Sequence, residues 1–471
     1  NKRDFTTSFQ YDFLNRLIEE KNPQNTETLY AYDQNGNRLS MTVKNSDGVS
    51  KVTSFEYDLL NRHVKTINPG GGIELSSYDS DGNIIEMTDG NGQKIGYEYD
   101  SLNRPVEKNL PEGSIQYVYD NWGNVLSVTD LTGNTVYSYD FENRLLTESK
   151  TLNDAAKTFL TTRTYHDDGQ IAALRDASGV TVSYEYDGRG LLSAVKNGSL
   201  SLAAYTYSSL GRPALLTHGN GVKTAYSYDD LHRVAVLETA DATGKSLSKQ
   251  EYSYDGESNR TKLVENGNRT IDYSYDSLDQ LLGVQYPGGT AQQSLSFEYD
   301  AFGNRTKIKT PFSETAYSYS STSDELASLT VNARLKTDFT YDGNGSLTGE
   351  SISRLGTSIR ATNYSWDSQG RLSQISYGSL SRPSYLSPFQ NNVLQFAYDD
   401  SGNRIRKSVN NIAAYYLNDG LRVLNEMNSA GDVTKTIVHG LEQIAEIDSQ
   451  GVITYVHSDI LGSAILLTDE N

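Results

Sequence analysis

The stretch YEYDSLNRP occupies residues 97–105, and close variants recur along the chain: FQYDFLNRL at 9–17, FEYDLLNRH at 55–63 and YSYDFENRL at 137–145. The Tyr of the Tyr-Asp pair falls at 11, 32, 57, 78, 99, 119 and 139, and again at 186, 228, 254, 275, 299, 341 and 398. Degenerate copies fill the gaps, with YH at 165, YS at 207 and 319, and WD at 366. Successive spacings in the first seven copies are 21, 25, 21, 21, 20 and 20 residues. Self-similarity at a fixed period of this size marks a repeat architecture, one supersecondary unit per period.

Three residues after each Asp stands Asn15, Gly36, Asn61, Gly82, Asn103, Gly123 or Asn143, and later Gly190, Gly303, Gly345, Gly370 or Gly402. Gly and Asn are the residues that most readily take positive φ. That position is therefore read as the left-handed residue of a hairpin turn. The Asp accepts hydrogen bonds from N–H groups within the same turn. Ahead of the Asp the residues alternate: Tyr97 and Tyr99 share one face and Glu98 the other, a period of two that means strand. After the turn comes a second strand, such as VLSVTD or IIEMTD. A second Gly-rich turn follows, GNG at 90–92, LTGN at 131–134 or HGNG at 218–221. Each repeat is two strands and two turns. In the first half, Asn turns carry Arg next (Arg16, Arg62, Arg104, Arg144) and Gly turns carry Asn (Asn37, Asn83, Asn124). This alternation predicts that neighbouring turns meet different surroundings, such as opposite walls or layers.

Composition supports a repeat protein that packs with amphipathic rings. Of 471 residues only 36% are apolar, yet there are 34 Tyr, 39 Gly and just 9 Pro, with a mean hydropathy of −0.57. Disordered chains are poor in aromatics, and Tyr tolerates polar neighbours at its hydroxyl. The net charge of −19 speaks against nucleic acid as a partner, since phosphate binding needs a basic footprint. There is no Cys, which excludes disulfide staples and Cys-ligated metal. No apolar run is long enough for a spanning helix. The first residues, NKRDFTTSFQ, lack the apolar core of a signal peptide and enter at once upon a repeat, as expected of a piece of a longer protein.

About 40 strands at ~4.8 Å would make a ribbon nearly ~190 Å long. Open sheets rarely pass ~10 strands without curling or splitting, and strand twist disfavours a straight ribbon. Propeller blades would number about eleven, above the usual range of about four to eight. The expected fold is therefore all-β: tandem hairpins of ~21 residues forming a coiled, hollow spiral β-sheet shell.

None of the six histidines (His63, His166, His218, His232, His439, His457) lies in a zinc motif. His232 occupies a turn slot filled elsewhere by Gly or Asn, so a strained turn residue is its expected role. DSDGN at 79–83 resembles the start of a calcium loop, but it coincides with the Tyr-Asp turn and is read as turn chemistry. No phosphate loop, nucleophile elbow or dinucleotide fingerprint is present. The Tyr rows are read as cross-strand ladders rather than sugar-stacking platforms. No catalytic, cofactor-binding or metal-binding residue is assigned, and no cofactor.

The "YDxxGN" and "YDxLNRL" units resemble the YD or Rhs repeats of bacterial Rhs toxins, of the C subunits of insecticidal Tc toxin complexes and of teneurins. The order YDDSGNRIRKS (398–408), AAYYLNDG, VHGLEQIAEID and YVHSDILGSAILLTDEN (455–471) is similar to the Rhs core region, so the resemblance assigns residues 1–397 to the repeat array and 398–471 to a core-like C-terminal segment. His457 falls in that segment, where a structural role is expected and a channel or cleavage-linked role is the alternative. The resemblance implies a shell wound as a spiral sheet that encloses a C-terminal effector. It also implies a self-cleaving "DPxG" segment downstream and an N-terminal plug, neither of which this sequence contains. The implied partners are an encapsulated polypeptide cargo, other subunits of a toxin complex, or cell-surface glycans, with no nucleic acid and no membrane span. The implied location is secreted or on the bacterial cell surface, and the implied role is non-enzymatic. The alternative is a cell-surface adhesion or glycan-binding module.

Overall fold

A computed structural model describes residues 6–286, 294–379 and 392–469; the first five and last two residues of the segments quoted above lie outside the described residues. Among the described residues there are 42 strands and no helix, so the chain is all-β. The strands belong to one sheet. Every strand pairing described is antiparallel and joins strands adjacent in sequence, for example Lys94–Tyr99 with Pro105–Leu110, and Ile84–Thr88 with Lys94–Tyr99.

The turn after each Tyr-Asp has one construction. Asp58 donates its N–H to the Arg62 carbonyl at 3.0 Å, and Asn61 donates to the Asp58 carbonyl at 3.0 Å. Asn61 sits at φ 61° and its Gly counterpart Gly82 at φ 94°. This is a type I turn closed by a left-handed residue. The register slips at the same place each time: Glu56 faces Lys65 but Tyr57 faces His63, leaving Val64 as the extra residue of a bulge. The second turn has the same build: Asp89 N–H meets the Gln93 carbonyl at 3.0 Å, and Gly92 lies at φ 77°. At both ends of most hairpins an Asx residue starts the turn and a left-handed residue finishes it, with Asp replaced by His166, Ser208 or His218 in some copies. In the strand Lys94–Tyr99, Glu98 is exposed while Tyr97 and Tyr99 are half-buried, as the alternation requires.

The chain divides into two compact units, each assembled from distant stretches of sequence. The first comprises residues 1–113, 254–262 and 269–394; the second comprises 114–253, 263–268 and 395–471. In the first unit, second turns meet Tyr-Asp turns some 250 residues later. Gln24 Nε2 donates to Asp276 Oδ2 (2.9 Å), Thr26 Oγ1 to the Ala301 carbonyl (2.6 Å) and Asn91 Nδ2 to Asp342 Oδ2 (3.0 Å). Asn344 Nδ2 returns a bond to Asp89 Oδ2 (2.7 Å). Gly90 and Gly343 pass so closely that a Cβ on either would overlap the other's carbonyl oxygen; only glycine permits that approach.

In the second unit the equivalent meeting is drier. Lys150 Nζ donates to Asp399 Oδ2 at 2.9 Å, both groups buried. The buried Asp176 Oδ2 accepts from Asn425 Nδ2 and Thr436 Oγ1, each at 2.7 Å. Around these bonds lie two apolar clusters. One joins Val195, Leu202 and Leu216 to Val438, Ile444 and Tyr455; the other joins Leu152 and Phe159 to Ile405, Tyr415 and Met427. In the first unit the only buried apolar residues among those described are Leu110, Ile271 and Val284. Apolar burial drives folding at ~25 cal/mol per Å², so the second unit carries most of it and the first depends more on polar turn contacts.

Candidate functional site

The repeat phrase first builds its own turn. Asp58 Oδ1 accepts from the N–H groups of Leu60 and Arg62, both at 2.9 Å, and Oδ2 from Arg62 Nε at 2.7 Å. In the Gly form, Asp79 Oδ1 accepts from Asp81 N–H (2.9 Å) and Asn83 N–H (2.8 Å), and Oδ2 from Asn83 Nδ2 (2.8 Å). The carboxylate of DSDGN is therefore filled by donors of its own turn, which supports turn chemistry there. Hydrogen bonds from Arg62 hold the Asp58 carboxyl below its ordinary range, as those from Asn83 do for Asp79.

The residue after the left-handed position reaches the next turn. Arg62 Nη1 donates to the Asp79 carbonyl (2.8 Å), and Asn83 Nδ2 to Asn103 Oδ1 (2.9 Å). Arg16 reaches the Asp33 carbonyl (2.9 Å) and Asn37 reaches Asn61 Oδ1 (2.7 Å) in the same way. The expectation that the two turn forms face opposite walls or layers is thus overturned. Both forms stand side by side on one edge, and they alternate because each is built to clasp the other. The Arg form offers a long donor to a backbone carbonyl; the Asn form offers a short donor that needs a side-chain acceptor, which the next αL Asn provides. The same arginines also cover the next repeat's ring, with Arg16 4.8 Å from the centre of Tyr32 and Arg62 4.7 Å from that of Tyr78.

The Tyr hydroxyls are committed as well. Tyr78 donates to the His63 carbonyl (2.7 Å), Tyr99 to Ile84 (2.8 Å), Tyr186 to Ile171 (3.1 Å) and Tyr341 to Leu326 (3.0 Å). Each acceptor is the first residue of the strand after the preceding Tyr-Asp turn, beside the bulge that disturbs the ladder. In the degenerate copies, Tyr165, Tyr207 and Tyr319 do the same, and Trp366 substitutes its indole Nε1–H to the Leu347 carbonyl (2.8 Å). The ring packs and the hydroxyl pins the register, so cross-strand packing explains the Tyr rows. His232 stands at φ 63° in the left-handed slot.

One cluster was missed by sequence reasoning. In the second unit His218 and His457 face each other with ring centres 4.3 Å apart, each only 2% exposed. Tyr455 stands edge-on to His218 at 5.6 Å. Among the described residues neither ring nitrogen of His218 nor His457 Nδ1 has a hydrogen-bond partner; His457 Nε2 pairs with Thr468 Oγ1 at 2.9 Å. Asn220 Nδ2 holds the same Thr468 Oγ1 (2.9 Å) and the Asp469 carbonyl (2.8 Å). Burial and, secondarily, the neighbouring His457 push His218 down to about 3, and burial pushes His457 down to about 4. Both rings are neutral at ordinary pH. The HGNG turn thereby binds the strand Ala464–Thr468 near the C-terminal end of the described chain. The available signal was that His218 replaces the Asx residue that begins other second turns, such as Asn45, Asp89 and Asp176. Among the described residues no group of three or more His, Cys, Asp or Glu is arranged to hold a metal ion, and no helix is long and apolar enough to cross a membrane.

These features define a β-repeat protein whose recurring polar groups are spent on building its turns and holding turn to turn. The teneurin YD-shell family model matches residues 150–448, and the RHS repeat model matches residues 78–115. The chain belongs to the teneurin YD-shell family. Among curated proteins it is 27% identical over 201 residues to the tRNA3(Ser)-specific nuclease WapA of Bacillus spizizenii, covering 42% of this chain and 8% of that protein. It is 28% identical over 171 residues to the tRNA nuclease WapA of Bacillus subtilis, covering 35% and 6%. Among solved structures, the Photorhabdus luminescens Tc holotoxin pore carrying the TccC3-D651A mutation matches with a TM-score of 0.67 at 16% identity, over 99% of this chain and 29% of that one. The TcdB2-TccC3 crystal structure matches with a TM-score of 0.56 at 16% identity, over 100% and 32%. The chain thus spans under a tenth of the curated relatives and about a third of the structural ones, and the structural likeness is one of fold.

Proposed function

We propose that this chain is a non-enzymatic wall segment of a secreted or surface Rhs-type protein, which encloses or presents a C-terminal toxin or effector polypeptide. The observation that carries the reading is the commitment of the repeat's polar groups. The turn carboxylates are filled by N–H donors and the Tyr hydroxyls by carbonyls, so the residues that recur are spent on architecture. A continuous sheet made this way is a barrier with few free reactive groups. The family match and the fold shared with Tc toxin components support the role. A nuclease, as in the names of the two Bacillus relatives, is one class of effector such a wall would serve. In this reading residues 1–397 are the array and residues 398–471 the closing core segment, whose last described strand is fastened by Asn220 and the His218–His457 pair.

The test is protease protection. A reporter polypeptide fused after residue 471 in a chain extended to the full family length is challenged with a nonspecific protease. Protection at least tenfold over the free reporter is the expected result; digestion at the free rate overturns the reading. The rival reading, a glycan-binding or adhesion module, predicts saturable binding on a glycan array instead. The committed Tyr hydroxyls weigh against it.

A further inference from the structure

Within the first unit, the same turn position has two fates. Two residues after the turn Asp, Leu278 and Phe302 are half-buried. They lie among the second-turn contacts already described, and the Lys51 ammonium rests 3.9 Å from the centre of the Phe302 ring. The equivalent residues of the earlier copies, Leu14, Leu60 and Leu102, are 56%, 69% and 66% exposed. Their turns are clasped side by side, so these side chains form knobs along one edge. The intervening turns carry polar Asn35 and Asp81 at that position. Apolar knobs therefore recur every second repeat, 46 and 42 residues apart.

The opposite, second-turn edge of the same unit has matching features. Phe312 and Leu355 are 68% and 78% exposed, 43 residues apart, with the polar turn residue Asn332 between them. We propose that these two edges are a complementary docking pair, and that the occupant of the Leu14–Leu60–Leu102 edge is the Phe312–Leu355 edge of a second copy of the chain, placed head to tail. Three observations favour this occupant. The unit already contains one such edge-to-edge contact, between its own second turns and Tyr-Asp turns. The knobs on both edges share the two-repeat period, which lets them interleave in one register. Asn35 and Asp81 stand two residues after a turn Asp, the position from which Asn344 reaches Asp89 in the internal contact, although Asn35 Nδ2 is also held by Asn61 Oδ1. Such a contact is heterologous and does not close upon itself, so the chain would associate indefinitely as concentration rises. Exposed apolar rows of this kind mark interaction sites. The inference is independent of any enclosed cargo.

Sedimentation velocity on the 471-residue chain over a concentration series tests it. The expected result is concentration-dependent growth beyond the dimer. L60D/L102D on one edge, or L355D on the other, weakens association at least tenfold. Mixing the two variants restores a 1:1 dimer that grows no further, because each supplies the edge the other lacks. A chain monomeric at every concentration, association indifferent to both variants, or a mixture that behaves as its separate parts overturns the proposal. Should an Asp variant lose its β-sheet circular dichroism, the L60S/L102S and L355S chains are measured in its place, with the same outcomes deciding.

Discussion

Acidification should loosen the C-terminal strands long before it melts the turns. His218 and His457 are neutral and buried, with folded pKa values of about 3 and about 4 against an ordinary 6.5. Their causes are burial and, for His218, the second imidazole; no carboxylate is among them. A base whose folded pKa is depressed is protonated more readily in the opened state, so stability is full above 6.5 and falls as pH drops below it. At pH 5 each histidine has lost about 2 kcal/mol, and the pair about 4 kcal/mol, at 1.36 kcal/mol per pH unit. If Ile453–Ser458 and Ala464–Thr468 open locally with both rings exposed, that is about a thousandfold in the opening equilibrium. Hydrogen exchange followed by mass spectrometry, corrected for intrinsic rates, reads this directly. Protection in those two strands should fall about a thousandfold from pH 7.5 to pH 5. In H218N/H457N, where neither side chain titrates, the fall should be under tenfold. Raised carboxylates in the same unit, Glu148 and Glu442, act with the opposite sign and are common to both proteins, so the difference isolates the pair. Equal protection at the two pH values, or an equal fall in the double variant, would refute the reasoning.

Asn61→Ala should cost about 1–2 kcal/mol, from left-handed strain and the lost acceptor for Asn37, while Asn61→Gly should cost less; urea denaturation measures both. Tyr99→Phe should remove about 0.5–1.5 kcal/mol, the net value of one hydrogen bond, and combining it with Tyr186→Phe should be additive because the sites share no partner. The turn carboxylates Asp58, Asp79 and Asp100 have lowered pKa values. Their contribution is present above the ordinary 3.8 and is lost as pH falls below it, so a second, steeper loss of sheet circular dichroism should appear only under pH 4 or so. Gly90→Ala should force apart the turns at Gly90 and Gly343, raising exchange at both by about tenfold or more with little change at Asp58–Arg62, because a Cβ there meets backbone rather than a movable side chain.

The strand-and-turn rhythm was readable in advance because each signal is local. Asn61 and Gly82 announce positive φ within four residues of their Asp, and Tyr97-Glu98-Tyr99 announces a strand within three. The bulge at Tyr57 was not readable, because it follows from a turn geometry that several sequences share. The alternation of Asn-Arg with Gly-Asn was visible but misread. Its meaning lies in partners 17 to 24 residues away, where Arg62 finds Asp79 and Asn37 finds Asn61. The His218–His457 pair was hidden for a stronger reason: its members lie in different repeats and meet only because residues near 200 and near 450 fold into one unit. No periodicity of twenty residues encodes a contact between turns 250 residues apart. What did mark it was a departure from the repeat, His where Asx is the rule.

That departure bears on how stability is distributed. A repeat array is close to a one-dimensional chain of neighbours, each contributing a small and similar amount. In the first unit the clasps are of this kind: an exposed or half-exposed polar contact of about 0.5–1 kcal/mol, repeated at every turn. Loss of one clasp leaves its neighbours in place, so single changes there should be mild and spread. The second unit departs from this regime, since the apolar clusters around Leu202 and Ile444 and around Leu152 and Met427 are bound to sites far away in sequence. A change there removes a contact that no neighbouring repeat duplicates. The buried imidazoles of His218 and His457 sit in that region, where opening depends on one set of contacts instead of many, and a charge placed there is not shared out along the array. The part of the sheet with the largest apolar burial is thus also the part where the buried His218–His457 pair makes opening sensitive to acid, at the strands that carry the chain onward from His457 to Thr468.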